Sequence, residues 1–161
     1  MGPTVAGQGE TTTGTGRCTM RISEVLRNKG AEVVTIEPTA TVARLLAVLA
    51  EHNVGAVVVF GARGTMDGIV SERDVVRCLH RTGAPLLGRP VAEIMTAVVH
   101  TCSPEDRVES LRATMTEHRI RHLPVVDRGR MVGIVSIGDV VKSAISELQD
   151  ERRHLEQYLQ G

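Results

Sequence analysis

The strongest constraint on this 161-residue chain is that its body is written twice. With a shift of 66 residues, Pro38, Val42, Leu45, Ala47, Glu51, His52 and Val59 fall on Pro104, Val108, Leu111, Ala113, Glu117, His118 and Val125. With one residue dropped in the loop, Met66, Gly68, Ile69, Val70, Ser71, Asp74, Val75 and Val76 fall on Met131, Gly133, Ile134, Val135, Ser136, Asp139, Val140 and Val141. A lead-in recurs as well, since Glu24-Val25-Leu26 is similar to Glu93-Ile94-Met95. Matches that keep one order with one gap mean two copies of one unit. Two copies are too few for a solenoid, so two similar halves should pack face to face about a pseudo-twofold axis.

Each copy predicts the same elements. A short strand (Val33–Ile36; Val98–Thr101) precedes a helix with Val42, Leu45, Leu46 and Leu49 on one face of a 3.6-residue period. The second copy keeps Val108, Leu111 and Met115, and Asp106 with Glu109 forms a capping-box pattern. A β-branched run follows (Val57–Phe60; Leu123–Val126), then a turn rich in glycine and charge, then a short strand (Gly68–Val70; Gly133–Val135). A second helix closes each unit (Glu72–His80; Ile137 onward). The fold class is α/β (α+β): strand–helix–strand–strand–helix, twice, plus a C-terminal helix.

The units are expected at 20–82 and 83–144, with 145–161 extending the last helix. Residues 1–19 hold five Gly and six Thr with few bulky apolar side chains. Such a segment buries too little surface to offset its ordering entropy, so a disordered tail is expected.

Lys+Arg and Asp+Glu balance at 19 each, which disfavours a general nucleic-acid or anionic-membrane binder. Apolar residues make up 42 % of the chain, yet only Phe60 and Tyr158 are aromatic. The core must come from aliphatic side chains, and stacking platforms for single-stranded nucleic acid are missing. Cys18, Cys78 and Cys102 are too scattered for a disulfide framework, and Val54–Phe60, the longest apolar run, is far short of a membrane span. With no signal-peptide pattern, a cytoplasmic protein is expected.

Two units carrying G-I-V-S-E-R-D at 68–74 and G-I-V-S-I-G-D at 133–139, with R-H-L-P-V-V-D at 121–127, resemble a tandem cystathionine-β-synthase (CBS) domain pair, or Bateman module. The resemblance covers roughly residues 20–145. It implies a regulatory, energy-sensing module that binds adenosine-containing ligands (AMP, ADP, ATP or S-adenosylmethionine) between its halves, dimerises, and requires no cofactor.

The residues at the strand–helix junctions suit that chemistry. A helix starting after Ser71 aims its first N–H groups, and the positive end of its dipole, at the strand's exit, which is a seat for phosphate. Ser71 adds a hydroxyl and Arg73 a charge-assisted donor. Asp74 stands where a carboxylate can accept from ribose hydroxyls. Ser136 and Asp139 repeat the arrangement, with Gly138 in place of the arginine. S-x-x-D is equally a helix-capping pattern, and both roles can coexist.

By the same resemblance, Arg121 and His122 sit where family members reach the phosphates. Their counterparts Gly55 and Ala56 bring no charge, so the two sites should be unequal. Val34, Ile36, Met95, Thr96, Val98 and Val99 are candidates for purine walls, with core packing as the alternative.

His118 and His122 are four apart, but the helix should end near Arg119, so they are not expected to share a face as metal ligands. His52 and His118 match near helix C-termini, where a partly cationic imidazole is favourable. Cys102 is expected to pack in the interior. Nucleophile-elbow, phosphate-loop and dinucleotide-fingerprint motifs are all missing, which favours a binding module over an enzyme. The last helix, from about Gly138 to Tyr158, carries Ile145, Leu148, Leu155 and Leu159 as a seam interrupted by Arg152, and a homodimer is expected there. The expected function is adenosyl-ligand sensing relayed to an unidentified effector protein. The alternatives are a ligand-free dimerisation or scaffolding module, or an enzyme with an unrecognised nucleotide-processing site.

Overall fold

The computed structural model describes residues 20–30, 32–97 and 100–161; the expected tail, and Val98 and Val99, lie outside them. Helix α1 (Ile22–Lys29) leads into β1 (Thr35–Ile36), α2 (Val42–His52), β2 (Ala56–Phe60), β3 (Met66–Ser71) and α3 (Glu72–Thr82). Two short 3-10 turns, Ala84–Gly88 and Val91–Glu93, connect to α4 (Val108–Glu117), β4 (His122–Asp127), β5 (Arg130–Ser136) and α5 (Ile137–Gln160).

In the first half, β1 pairs parallel with β2, and β2 antiparallel with β3. In the second half, β4 and β5 pair antiparallel, in a register that repeats the first: Ala56 faces Ser71, and His122 faces Ser136. The strand expected at Val98–Thr101 is replaced, among the described residues, by a parallel bridge from Cys102 to Val125. The Cys102 backbone N–H donates to Pro124 O and its carbonyl accepts from Val126 N–H, at 3.0 and 2.8 Å. One residue therefore does the work of β1.

The two aliphatic cores do not follow the order of the chain. Val42, Leu45, Leu49, Val57, Val59 and Val70 pack with Leu86, Val91 and Ile94, which precede the second copy. Val108, Leu111, Met115, Leu123, Val125 and Val135 pack with Ile22, Val25 and Leu26, which precede the first. Each lead-in thus crosses to the opposite copy, and the backbone repeats the same bonds on both sides. Ile22 N–H donates to Asp106 O and Ser23 N–H to Pro104 O, at 3.0 and 2.9 Å. Val91 N–H donates to Ala40 O and Ala92 N–H to Pro38 O, at 2.8 and 2.9 Å. Similar lead-in sequences nonetheless form different local structures, a helix at α1 and a 3-10 turn at Val91–Glu93.

Two local expectations are corrected. In α2, Leu46 is 39 % exposed while Val48 is buried, so the buried face is rotated by part of a turn from the one read from the sequence. In α4, Asp106 and Glu109 form no capping box: the N-cap is Arg107, without a side-chain cap bond, and Asp106 instead accepts from Ser103 N–H at 2.8 Å. Helix α2, by contrast, is capped by Thr41, whose hydroxyl accepts from Arg44 N–H.

Candidate functional site

The site is built at the exits of β3 and β5. At Ser71 the backbone is extended and the helix begins on the next residue, so the serine side chain faces the helix's first N–H groups. The Ser71 hydroxyl accepts from Asp74 N–H at 3.4 Å, while Asp74 Oδ2 accepts from Ser71 N–H and Ser71 O–H, both at 2.8 Å. Ser136 and Asp139 form the same box: Asp139 Oδ2 accepts from Ser136 N–H at 2.8 Å and Ser136 O–H at 3.0 Å. Both S-x-x-D elements are therefore capping boxes, and their carboxylates are turned toward the junction and half-buried.

The N–H groups expected to await phosphate are partly engaged. Glu72 N–H donates to Gly55 O at 3.0 Å, and Ile137 N–H to Arg121 O at 2.8 Å. These bonds explain why the residues before β2 and β4 sit beside the helix starts: their carbonyls hold the first turns. Arg121 and Arg73 have exposed side chains, as Thr96 does; Met95 and Val34 are half-buried against the first core, and Ile36 is buried within it.

His122 joins the halves. A Cβ built on Gly55 would lie 3.7 Å from His122 Cε1 and 3.7 Å from Glu72 Oε2, so the imidazole of the second copy meets a glycine and a carboxylate of the first. Burial holds His122 below the ordinary imidazole range, and the Lys29 ammonium pushes the same way; Asp139 and Glu72 oppose this without cancelling it, and Arg121 adds to it. A cleft of about 410 Å³ opens beside this contact, lined by Leu46, Asn53, Gly55 and Glu72 among others, but by none of the residues predicted for the site.

Two participants were not anticipated. Lys29, at the end of α1, places Nζ 2.6 Å from Asp139 Oδ2 and 3.1 Å from Ile134 O. Burial pushes the Asp139 carboxyl up, but the Lys29 and Ser136 hydrogen bonds outweigh it and hold the group below the usual carboxylate range. Glu72 is the second, brought to His122 by the helix start. No sequence spacing relates Lys29 to Asp139; only the exchange of lead-ins brings them together.

His118 caps the C-terminus of α4 and stacks on His100 with ring centroids 4.1 Å apart, while His122 lies in β4, so the two do not share a helix face. Among the described residues, no three His, Cys, Asp or Glu side chains gather as metal ligands. Cys102 is buried, and burial, with Asp106 nearby, pushes its thiol up to about 12.

The family model for the CBS domain matches residues 22–81 and again 91–146. The chain belongs to the CBS-domain family. Its two copies make it a CBS pair. It is 36 % identical over 148 residues to the mitochondrial CBS domain-containing protein CBSX3 of Arabidopsis thaliana, covering 87 % of this chain and 72 % of that one. Among solved structures, a CBS-domain-containing protein from Agrobacterium tumefaciens superposes with a TM-score of 0.76 at 39 % identity, over 81 % of this chain and 96 % of that one. A CBS domain protein from Pyrobaculum aerophilum, solved in complex with AMP, superposes with a TM-score of 0.66 at 31 % identity, over 74 % of this chain and 89 % of that one. No helix among the described residues of this CBS pair is long and apolar enough to cross a membrane.

Proposed function

We propose that this CBS-pair protein is a non-enzymatic regulatory module that binds an adenosine-containing ligand, AMP, ADP, ATP or S-adenosylmethionine, between its halves. The observation that carries the reading is the paired junction geometry. Ser71–Asp74 and Ser136–Asp139 stand at equivalent strand exits, each presenting a half-buried carboxylate beside a helix N-terminus. A carboxylate there can accept from a ribose diol, and the adjoining helix dipole favours a phosphate. Arg73, Arg121 and His122 would serve the phosphates, while Val34, Ile36, Met95 and Thr96 would border the purine, with Val98 and Val99 as further candidates outside the described residues. The AMP complex of the Pyrobaculum relative supports the ligand class.

Ligand bridging both copies would favour one relative arrangement of the halves, by its difference in affinity for the two arrangements. A cytoplasmic effector protein would read that arrangement. Helix α5 would supply the homodimer contact, since Val141, Ile145, Leu148, Leu155 and Leu159 are exposed along it.

Thermal unfolding with AMP, ADP, ATP, S-adenosylmethionine or NAD tests the reading. A ligand at 100 times its dissociation constant stabilises by about 2.7 kcal/mol, and Asp74→Ala with Asp139→Ala should abolish that gain. A second reading, a ligand-free scaffolding module, is favoured by one observation: both serine hydroxyls and one oxygen of each aspartate are already engaged in capping. No stabilisation by any of the five compounds would select it.

A further inference from the structure

The two half-sites differ in what stands on their carboxylates. In the first half, the backbone of Thr96 covers the edge of β3: Ile69 N–H donates to Thr96 O, and Thr96 N–H to Ile69 O, each at 2.9 Å. In the second half, the equivalent carbonyl of Ile134 is met by a side chain, the Lys29 ammonium at 3.1 Å, which also bonds Asp139 Oδ2 at 2.6 Å. That oxygen therefore holds three donors, Ser136 N–H, Ser136 O–H and Lys29. Asp74 Oδ2 has only the two from Ser71, and among the described residues no cation pairs with Asp74.

A ribose diol that uses Asp139 must share or displace the lysine. Displacement strips the ammonium of its Asp139 partner and leaves it near the partly buried His122. An uncharged nucleoside offers nothing in return, whereas a ligand with its own anionic group gives the ammonium a new partner at the same junction. The exchange is reversible, because the pair is partly open to solvent (side chains 36 % and 19 % exposed) and such pairs are individually weak.

We infer that Lys29 is a specificity-determining residue that makes the Asp139 half-site select anionic adenosine ligands over uncharged nucleosides. The inference rests on the ligand reading above and deepens it. Selectivity here is a difference of two affinities, raised for the nucleotide and lowered for the nucleoside by one side chain.

The test isolates the second half-site with Asp74→Asn, which keeps an amide oxygen to accept in the capping box. Calorimetric titrations with AMP and with adenosine are run on this protein with and without Lys29→Met. Lys29→Met should weaken AMP and tighten adenosine, narrowing their affinity ratio by about fivefold. Loss of AMP affinity with adenosine unchanged would overturn the inference, since that is generic loss of positive charge. Equal changes for both ligands would overturn it too. Binding of neither compound by the unsubstituted chain would overturn the inference, and only a further failure to bind ADP, ATP, S-adenosylmethionine and NAD would fell the ligand reading itself. Urea unfolding midpoints of each variant establish that the folded chain is being titrated.

Discussion

The methyl groups of Leu26 fill the space a side chain on Gly133 would need. A Cβ there would lie 2.6 Å from Leu26 Cδ2, and at the equivalent Gly68 a Cβ would lie 2.6 Å from Thr96 O. Both glycines admit the lead-in of the other copy, but one meets the tip of a flexible side chain and the other meets backbone. Gly133→Ala should therefore cost about 1–3 kcal/mol of stability, and Gly68→Ala more. Urea unfolding of the two variants checks the order; a costlier Gly133→Ala would contradict this packing.

The capping boxes make a second pair of predictions. Ser71→Ala and Ser136→Ala should each cost about 1 kcal/mol, whether or not a ligand binds. Arg107 is the N-cap of α4, with φ −86° and ψ 142° and no side-chain cap bond. Arg107→Ser should stabilise the protein by about 0.5–1 kcal/mol, read as a raised unfolding midpoint.

The two perturbed groups near Lys29 set the pH profile. His122 is held below its ordinary value, so the unfolded chain binds more protons than the folded one just below about pH 6.5. Stability should fall as pH drops from there, and level off below the folded pKa. Asp139 is also held low, so its contribution is present above the unfolded value of 3.8 and lost as pH falls through the folded one. His122→Gln should flatten the first slope and leave the acid limb in place, as followed by urea midpoints across the range.

Cys102 should be inert while the protein is folded. Its thiol is pushed up to about 12, and the thiolate is the reactive form. In a Cys18→Ser, Cys78→Ser variant, a disulfide-exchange reagent at neutral pH should label the remaining thiol only after denaturant is added. Rapid labelling of the native protein would contradict the burial.

The distal part of α5 is exposed throughout, with Leu148 66 %, Leu155 60 % and Leu159 85 % accessible. If this seam joins two copies, Leu148→Glu with Leu155→Glu should shift sedimentation from dimer to monomer. The unfolding midpoint at low protein concentration should stay close to that of the unsubstituted chain, because no core is disturbed.

The repeat, its strand–strand–helix order and the S-x-x-D junctions were legible in the residues themselves. These are local matters: short runs rich in β-branched residues mark β2 and β4, and a serine three residues before an aspartate marks the starts of α3 and α5. The orientation of α2 was less legible, since Leu46 and Val48 are both aliphatic and only the neighbouring elements decide which is covered. The α4 start misled for a related reason: Asp106 had a nearer donor in Ser103 N–H.

The sequence by itself determined that there are two like units, what each is made of, and where their capped helices begin, because hydrogen bonding and periodicity over a few residues set those features. Only the tertiary structure decided which lead-in serves which core, that His122 meets Gly55 and Glu72, and that Lys29 stands on Asp139. Lys29 and Asp139 are 110 positions apart, and no local pattern records such a meeting. It follows from burying Leu26 against Gly133, which carries the end of α1 to the far copy and leaves the lysine's long, charged side chain beside the Asp139 carboxylate.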